Sequence, residues 1–282
     1  MAVSIAIRDI GPLSVAAGRI VLAALVLLCI VRIRGQTLPR FSAPDGAKIW
    51  LAALGLGFCS MALPFFLLSW GQQYVASGFA GVTMAAVPLL VLPLAHILVP
   101  GDQLTLPKGL GFAVGFAGVL VLIGLDVFKR LGTDLEPLAR LACFGAAAGY
   151  AFGSIITRLA PKVDPVIFAT TATVLAAFMI LPIALIVEGV PKDPTFNSLV
   201  AVVFLGLIPT AAANLLLVSV IRSAGPTFMS LVNYQVPVWS VIFGALFLSE
   251  ALPSNTIAAL TLILAGVAVS QWYSLRRILA RS

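Results

Sequence analysis

Arg19 is the only Lys or Arg well inside an apolar run rather than near its end, and no carboxylate lies at the centre of one; Asp102, Glu188 and Glu250 stand at run ends. An acid in mid-membrane would mark ion or proton coupling, so ion-coupled antiport is not favoured. Arg19 has two readings. The plainer is a long side chain that snorkels to the outer interface or caps neighbouring carbonyls; the functional one is a contact for a substrate carboxylate. His96, the single histidine, has no acid or cysteine beside it and reads as structural. Cys29, Cys59 and Cys143 form no CxxC pair and read as small packing residues. No Ser/His/Asp set, metal-ligand spacing or phosphate loop occurs, so a membrane enzyme would lack its reacting groups and neither cofactor nor metal is implied.

The remaining polar residues cluster in the middle of apolar runs. Between Thr227 and Leu248, residues Ser230, Asn233, Tyr234, Pro237 and Val241 share one helical face by three- and four-residue spacing, and Trp239 adds an aromatic ring. Met84 and Pro88 hold the matching places of an earlier run. Ser60, Met61 and Pro64 on one run correspond to Pro209, Thr210 and Asn214 on another, and Tyr150 and Ser154 lie one turn apart on a third. A hydroxyl or amide in hydrocarbon must find a partner, either another helix or a bound solute. A proline in mid-helix leaves the fourth preceding carbonyl without its donor and kinks the helix. Pro88 would free the carbonyl of Met84, and Pro237 that of Asn233. Freed carbonyls are tolerated where they line a cavity. The expected substrate contacts are therefore Asn233, Tyr234, Pro237, Trp239, Met84, Pro88, Ser60, Thr210, Asn214 and Tyr150.

The elements that must carry these residues follow from composition. Of 282 residues, 61% are hydrophobic and 10% charged, against about 45–50% and about 25% in soluble domains. That excludes a soluble enzyme, a nucleic-acid binder and a disordered chain, and leaves an all-α polytopic membrane protein. Nine runs are long enough to cross a bilayer: Leu13–Val31, Ile49–Trp70, Ala76–Leu98, Leu110–Leu125, Leu138–Leu159, Val166–Val187, Leu199–Ile221, Thr227–Leu248 and Thr256–Tyr273. Short breaks with Pro, Gly and charge separate them, and no loop could hold a soluble domain. The apolar stretch Val3–Ile7 is too short for a signal peptide core or a span.

The chain repeats itself. Pro88 with its downstream acid Asp102 and glycine Gly118 corresponds to Pro237, Glu250 and Gly266, and Leu56-Gly57 corresponds to Leu205-Gly206. The offset stays at about 148 to 149 residues across three spans, which signals duplication. The repeated unit has five helices, giving repeats over about 1–126 and 136–282. A full span precedes Asp164-Pro165, whereas only Met1–Arg8 precede the matching Gly11-Pro12, so the first helix is expected to be missing or truncated. An odd number of crossings makes the two copies inverted, as in many secondary transporters.

These features resemble the drug/metabolite transporter superfamily, and within it the EamA-type transporters with ten helices in two five-helix repeats. The likeness rests on Pro88 to Asp102-Gln-Leu, Pro237 to Glu250-Ala-Leu, and Arg19 early in the first complete helix, where that family often has arginine. It implies a transporter, and its amino-acid and metabolite exporters, including aromatic amino-acid exporters, make export the expected direction.

Charge sets the expected orientation. Eleven basic residues (Arg32, Arg34, Arg40, Lys48, Lys108, Arg158, Lys162, Arg222, Arg276, Arg277 and Arg281) fall on one side, and Arg8, Lys129, Arg130, Arg140 and Lys192 on the other. The richer side, with the C-terminus, is expected to face the cytoplasm of a bacterial inner membrane. The formal charge of +7 then reflects basic loops and not a nucleic-acid partner. The partners expected are the bilayer and a small-molecule substrate, handled by a monomer. A mostly apolar cavity suits an amphipathic solute such as an amino acid. The alternatives are a lipid flippase or channel, and after them a membrane enzyme.

Overall fold

The computed structural model describes residues 2–99, 106–123, 135–224, 239, 243, 246 and 254–270. Among them it is all helix and turn. A short helix α1 (Ala2–Ala6) precedes α2 (Pro12–Ile33). The next span is α3 (Gly46–Gly57), a π-helical turn over Phe58–Ala62, and α4 (Leu63–Gly71). Then come α5 (Ser77–Thr83), a 3₁₀ turn over Met84–Ala86, α6 (Val87–Leu98) and α7 (Leu106–Ile123). The second half holds α8 (Glu136–Leu159) and α9 (Pro165–Val187). It continues with α10 (Phe196–Gly206), a second π turn over Leu207–Ala212, α11 (Ala213–Ala224) and α12 (Ser254–Ser270).

Among the described residues, six segments are long and apolar enough to cross a membrane: Pro12–Ile33, Gly46–Gly71, Ser77–Leu98, Glu136–Leu159, Pro165–Val187 and Phe196–Ser223. They overlay the first three expected runs and the fifth to seventh. α7 and α12 are shorter apolar helices in the fourth and ninth. The run Thr227–Leu248 lies outside the described residues except at Trp239, Phe243 and Leu246.

Local signals set the ends. Pro12 and Pro165 open α2 and α9, where a missing N–H costs nothing. Asp164 caps α9, its Oδ1 accepting from Val166 N at 2.8 Å. Gly35 and Gly189, at φ +65° and +74°, follow α2 and α9 in the left-handed conformation that suits glycine past a helix end.

The core lies between the halves. α2 packs on α9 through alanines, Ala16 and Ala17 against Ala169, Ala172 and Ala176, with Ile20 and Phe168 sealed between them. Small residues let helix backbones approach closely, the main attraction available where lipid is as apolar as leucine. α7 packs on α12 by the same device: Gly266 has no side chain and sits directly on the α7 backbone at Gly111 and Gly115.

The expected duplication becomes a reciprocal contact. Gly57 closes onto the Ala172 carbonyl of α9, and its repeat mate Gly206 closes onto α2, where an added Cβ would meet Leu22 Cβ at 2.8 Å. Each half thus uses its glycine to admit the other half's helix. α8 flanks α3, the first π turn and α4. The corresponding flank of α10 carries α1, and beyond α1 runs an open groove of about 980 Å³ that includes Phe204 and Phe243.

One local expectation is corrected. The Met84 carbonyl is not left free by Pro88. The chain tightens into a 3₁₀ turn in which Val87 N–H bonds the Met84 carbonyl, and Pro88 falls in the first turn of α6. A three-residue hydrogen-bond step supplies the donor that a proline at the four-residue step cannot.

Candidate functional site

The two π turns occupy matching places in the repeats, each directly after the paired glycine Gly57 or Gly206. Proline explains their position. Pro209 has no N–H to give the Leu205 carbonyl, and the Thr210 hydroxyl donates to that carbonyl instead at 2.6 Å. The ladder recovers at Ala213, whose N–H reaches Ile208 O, five residues back. In the first half, Leu63 N–H likewise reaches Phe58 O just before Pro64. Such bulges widen a helix by one residue and often mark functional places.

Both π turns face one cavity. Its wall is Ser60, Met61 and Phe65 from the first half, and Pro209, Thr210, Ala213, Asn214 and Leu217 from the second, with Tyr150 of α8 completing it. Glycines on α8 let that helix close in: a Cβ on Gly149 would meet the Cys59 carbonyl at 2.6 Å, and one on Gly153 would strike the Ser60 hydroxyl. The cavity measures about 70 Å³, well below the roughly 300–1,000 Å³ of a typical ligand pocket. A solute of metabolite size requires the walls to part.

Arg19 is buried behind this wall, only 6% exposed, in contact with two of its lining residues, Thr210 and Phe65. Its Nε donates to Thr210 Oγ1 at 2.9 Å, so a chain runs from guanidinium to hydroxyl to the Leu205 carbonyl. Its guanidinium lies 3.8 Å from the centroid of the Phe65 ring, a cation–π contact strengthened by the lack of water. Arg19 therefore does not snorkel to the interface; Thr210 and Phe65 hold it inside. Asn214 Nδ2 donates to Thr173 Oγ1 of α9 at 3.0 Å, tying the second half's wall to the core.

The expected contacts divide. Ser60, Tyr150, Thr210 and Asn214, drawn from three spans, meet around the cavity. Met84, like Tyr150, packs against a neighbouring cluster of α6 and α8, and Pro88 is buried on α6. Trp239 is half exposed, stacks on Phe243 at 5.5 Å and is not among the residues of that wall. Asn233, Tyr234 and Pro237 lie outside the described residues. In the sequence alone Arg19 reads mainly as a snorkelling residue, and nothing there singles out Phe65, its ring partner. An arginine in mid-run with an aromatic one helix away is the signal that existed, but only the fold pairs them.

Polar contacts close both ends of the bundle. At one end Glu188, after α9, accepts from Leu13 N at 2.9 Å and Ser14 N at 2.8 Å, capping α2 across the interface. Gly11 makes room for that carboxylate. Beside it, Asp9 accepts from the hydroxyls of Thr195 and Ser198, which hold its carboxyl below the ordinary value. At the other end, Arg222 donates to the carbonyls of Val163 (2.9 Å) and Pro161 (3.2 Å), and Arg34 stands 3.8 Å from Asp164. Glu188→Ala strips two charge-assisted bonds from a helix N-terminus, and a cap is worth about 0.5–2 kcal/mol. The melting temperature of the purified variant is expected to fall by several degrees, and an unchanged melt would show that the cap does not hold the halves.

A helical bundle with a reciprocal internal repeat and a cavity between its halves is the architecture of a membrane transporter. The chain belongs to the EamA-like transporter family, whose model matches residues 1–124 and 138–272. It is 25% identical to the uncharacterized transporter YoaV of Bacillus subtilis, covering 98% of this chain and 93% of that one. It is 27% identical to the uncharacterized inner membrane transporter YedA of Escherichia coli K12, over 94% and 83%. Protein PecM of Dickeya dadantii is 25% identical over 87% and 80%. A solved crystal structure shares the fold with a TM-score of 0.66 at 21% identity, covering 93% of this chain and 89% of its own.

Proposed function

We propose that the protein is a secondary transporter that exports small organic metabolites, foremost amino acids and aromatic ones among them, by alternating access through the cavity between its two repeats. The observation that carries this reading is the pair of π turns at matching places, both on one cavity. A π turn holds one residue more than the α ladder accommodates, so it can shift along the helix with little loss of bonding. Two of them at inverted positions give the cavity one adaptable wall per half, as alternating access between inverted repeats requires.

The repeats run over about 1–126 and 136–282, and one monomer is the working unit. The span Thr227–Leu248 supplies further wall, with Asn233 and Tyr234 as polar contacts, Pro237 at its kink and Trp239 as an aromatic face; Met84 and Pro88 are their counterparts. The C-terminus and the loop Arg32–Lys48 lie in the cytoplasm of a bacterial inner membrane. A cysteine placed near Arg277 is then expected to escape impermeant thiol reagents in intact cells.

Counterflow of labelled amino acids in proteoliposomes tests the function. Saturable exchange is expected; a channel would show flux without counterflow. Asn214→Ala and Asn233→Ala are each expected to weaken apparent affinity about ten- to a hundredfold if they bond a charged group of the solute. Tyr150→Phe should cost less than Tyr150→Ala, since it keeps the ring. Variants that fold and exchange every solute at the native rate and affinity would reduce these residues to helix packing.

A further inference from the structure

We propose that Arg19 supplies the site's recognition charge, so that the solute carries a single anionic group, a carboxylate, seated at the Arg19–Thr210–Phe65 corner of the cavity. Resting on the transport reading above, the proposal begins from a charge imbalance. A buried guanidinium is costly unless it is paired. Among the described residues no Asp or Glu pairs with Arg19. Its partners are a hydroxyl that takes one N–H and the face of a ring, and a guanidinium has five N–H donors in a fixed fork. Both partners line the cavity. One positive charge therefore stands directly behind the cavity wall, held by two residues that line it, with no Asp or Glu beside it among the described residues. A carboxylate matches the fork bidentately and neutralises it.

The number of charges limits the ligand further. Among the described residues no Lys, Arg or His lines the cavity, so Arg19 behind Thr210 and Phe65 is its nearest charge, and Arg222 points its two terminal nitrogens at the carbonyls of Val163 and Pro161 at one end of the bundle. A dianion such as a phosphate ester would remain half compensated. A monocarboxylate or a zwitterion fits, and a lipophilic cation is repelled. Phe65, Met61 and Leu217 give the rest of the solute an apolar bed, and Tyr150 and Asn214 can serve an ammonium or hydroxyl.

The experiment uses matched pairs on the full-length wild-type protein in nanodiscs: L-phenylalanine with L-phenylalaninamide, L-leucine with L-leucinamide, and phenylacetate with phenylacetamide. Binding is read by thermal-shift titration and flux by counterflow in proteoliposomes. In pairs that bind, the carboxylate is expected to bind about ten- to a hundredfold more tightly than its amide, and tetraphenylphosphonium is expected not to compete. Arg19→Gln should bring each pair to within about twofold, and Arg19→Lys, a point charge without the fork, should restore part of the gap. If Arg19→Gln does not fold, the wild-type pairs decide alone. Equal binding of amide and carboxylate, competition by the cation, or no binding by any carboxylate overturns the proposal. Counterflow of a neutral or cationic solute in that case leaves the transport reading standing, whereas no counterflow by any compound overturns both.

Discussion

Gly57→Ala is expected to lose most of the folded protein, although alanine is the better helix former by about 1 kcal/mol. The reason is the atom it meets. A Cβ at Gly57 would enter the carbonyl of Ala172, on the backbone of α9, at a close crossing between the halves. A flexible side chain could swing away, but a helix backbone cannot, so α3 and α9 must separate and open the core formed by Leu56, Phe168 and Ala172. Overpacking typically costs about 1–3 kcal/mol and occasionally more, and a backbone obstacle belongs at the upper end. Gly206→Ala meets Leu22 Cβ at 2.8 Å and the Arg19 carbonyl at 3.2 Å, longer approaches than at Gly57, and should be milder. Gly145→Ala meets only Leu67 Cδ1 at 3.4 Å, an ordinary contact, and should be neutral or slightly stabilising. The order of melting temperatures, Gly145→Ala above Gly206→Ala above Gly57→Ala, is the check, read alongside the monodisperse peak in size-exclusion chromatography. A Gly57→Ala protein that melts like wild type would mean the halves do not cross this closely.

That glycine pair shows what could be read from residues alone. The spans were visible because apolar runs of bilayer length are bounded by Pro, Gly and charge. The duplication was visible because a few backbone-determined positions, Gly57 and Gly206 among them, hold a constant offset. Their reciprocal use was not visible, since spacing gives correspondence but not which helix fills the gap. The π turns were missed because one extra residue in a continuous apolar run leaves the pattern of hydropathy almost unchanged; the nearby Pro64 and Pro209 were the only trace. The Met84 carbonyl was expected to be free because the proline rule counts four residues back, and a 3₁₀ turn answers at three.

The site was partly legible for a similar reason. Ser60, Tyr150, Thr210 and Asn214 stand out as polar residues in hydrocarbon, and they meet at one cavity. Arg19 stood out as well, but its role depends on distance to the interface and on neighbours far along the chain. Thr210 is 191 residues away from it. No local pattern separates an arginine that snorkels from one that a hydroxyl and a ring retain inside.

The second large effect concerns Ser60, which lies on the first π turn at the cavity wall. In a background with Cys29, Cys59 and Cys143 replaced, Ser60→Cys places one thiol at the point both halves share. Alternating access requires that this thiol meet water on one side of the membrane and then on the other. An impermeant thiol reagent is therefore expected to modify it nearly completely from outside in right-side-out vesicles and from inside in inverted ones, with a transported amino acid slowing both reactions. Modification from one face alone, or from neither, in a protein that still exchanges solute would contradict a single cavity opened in turn to each side.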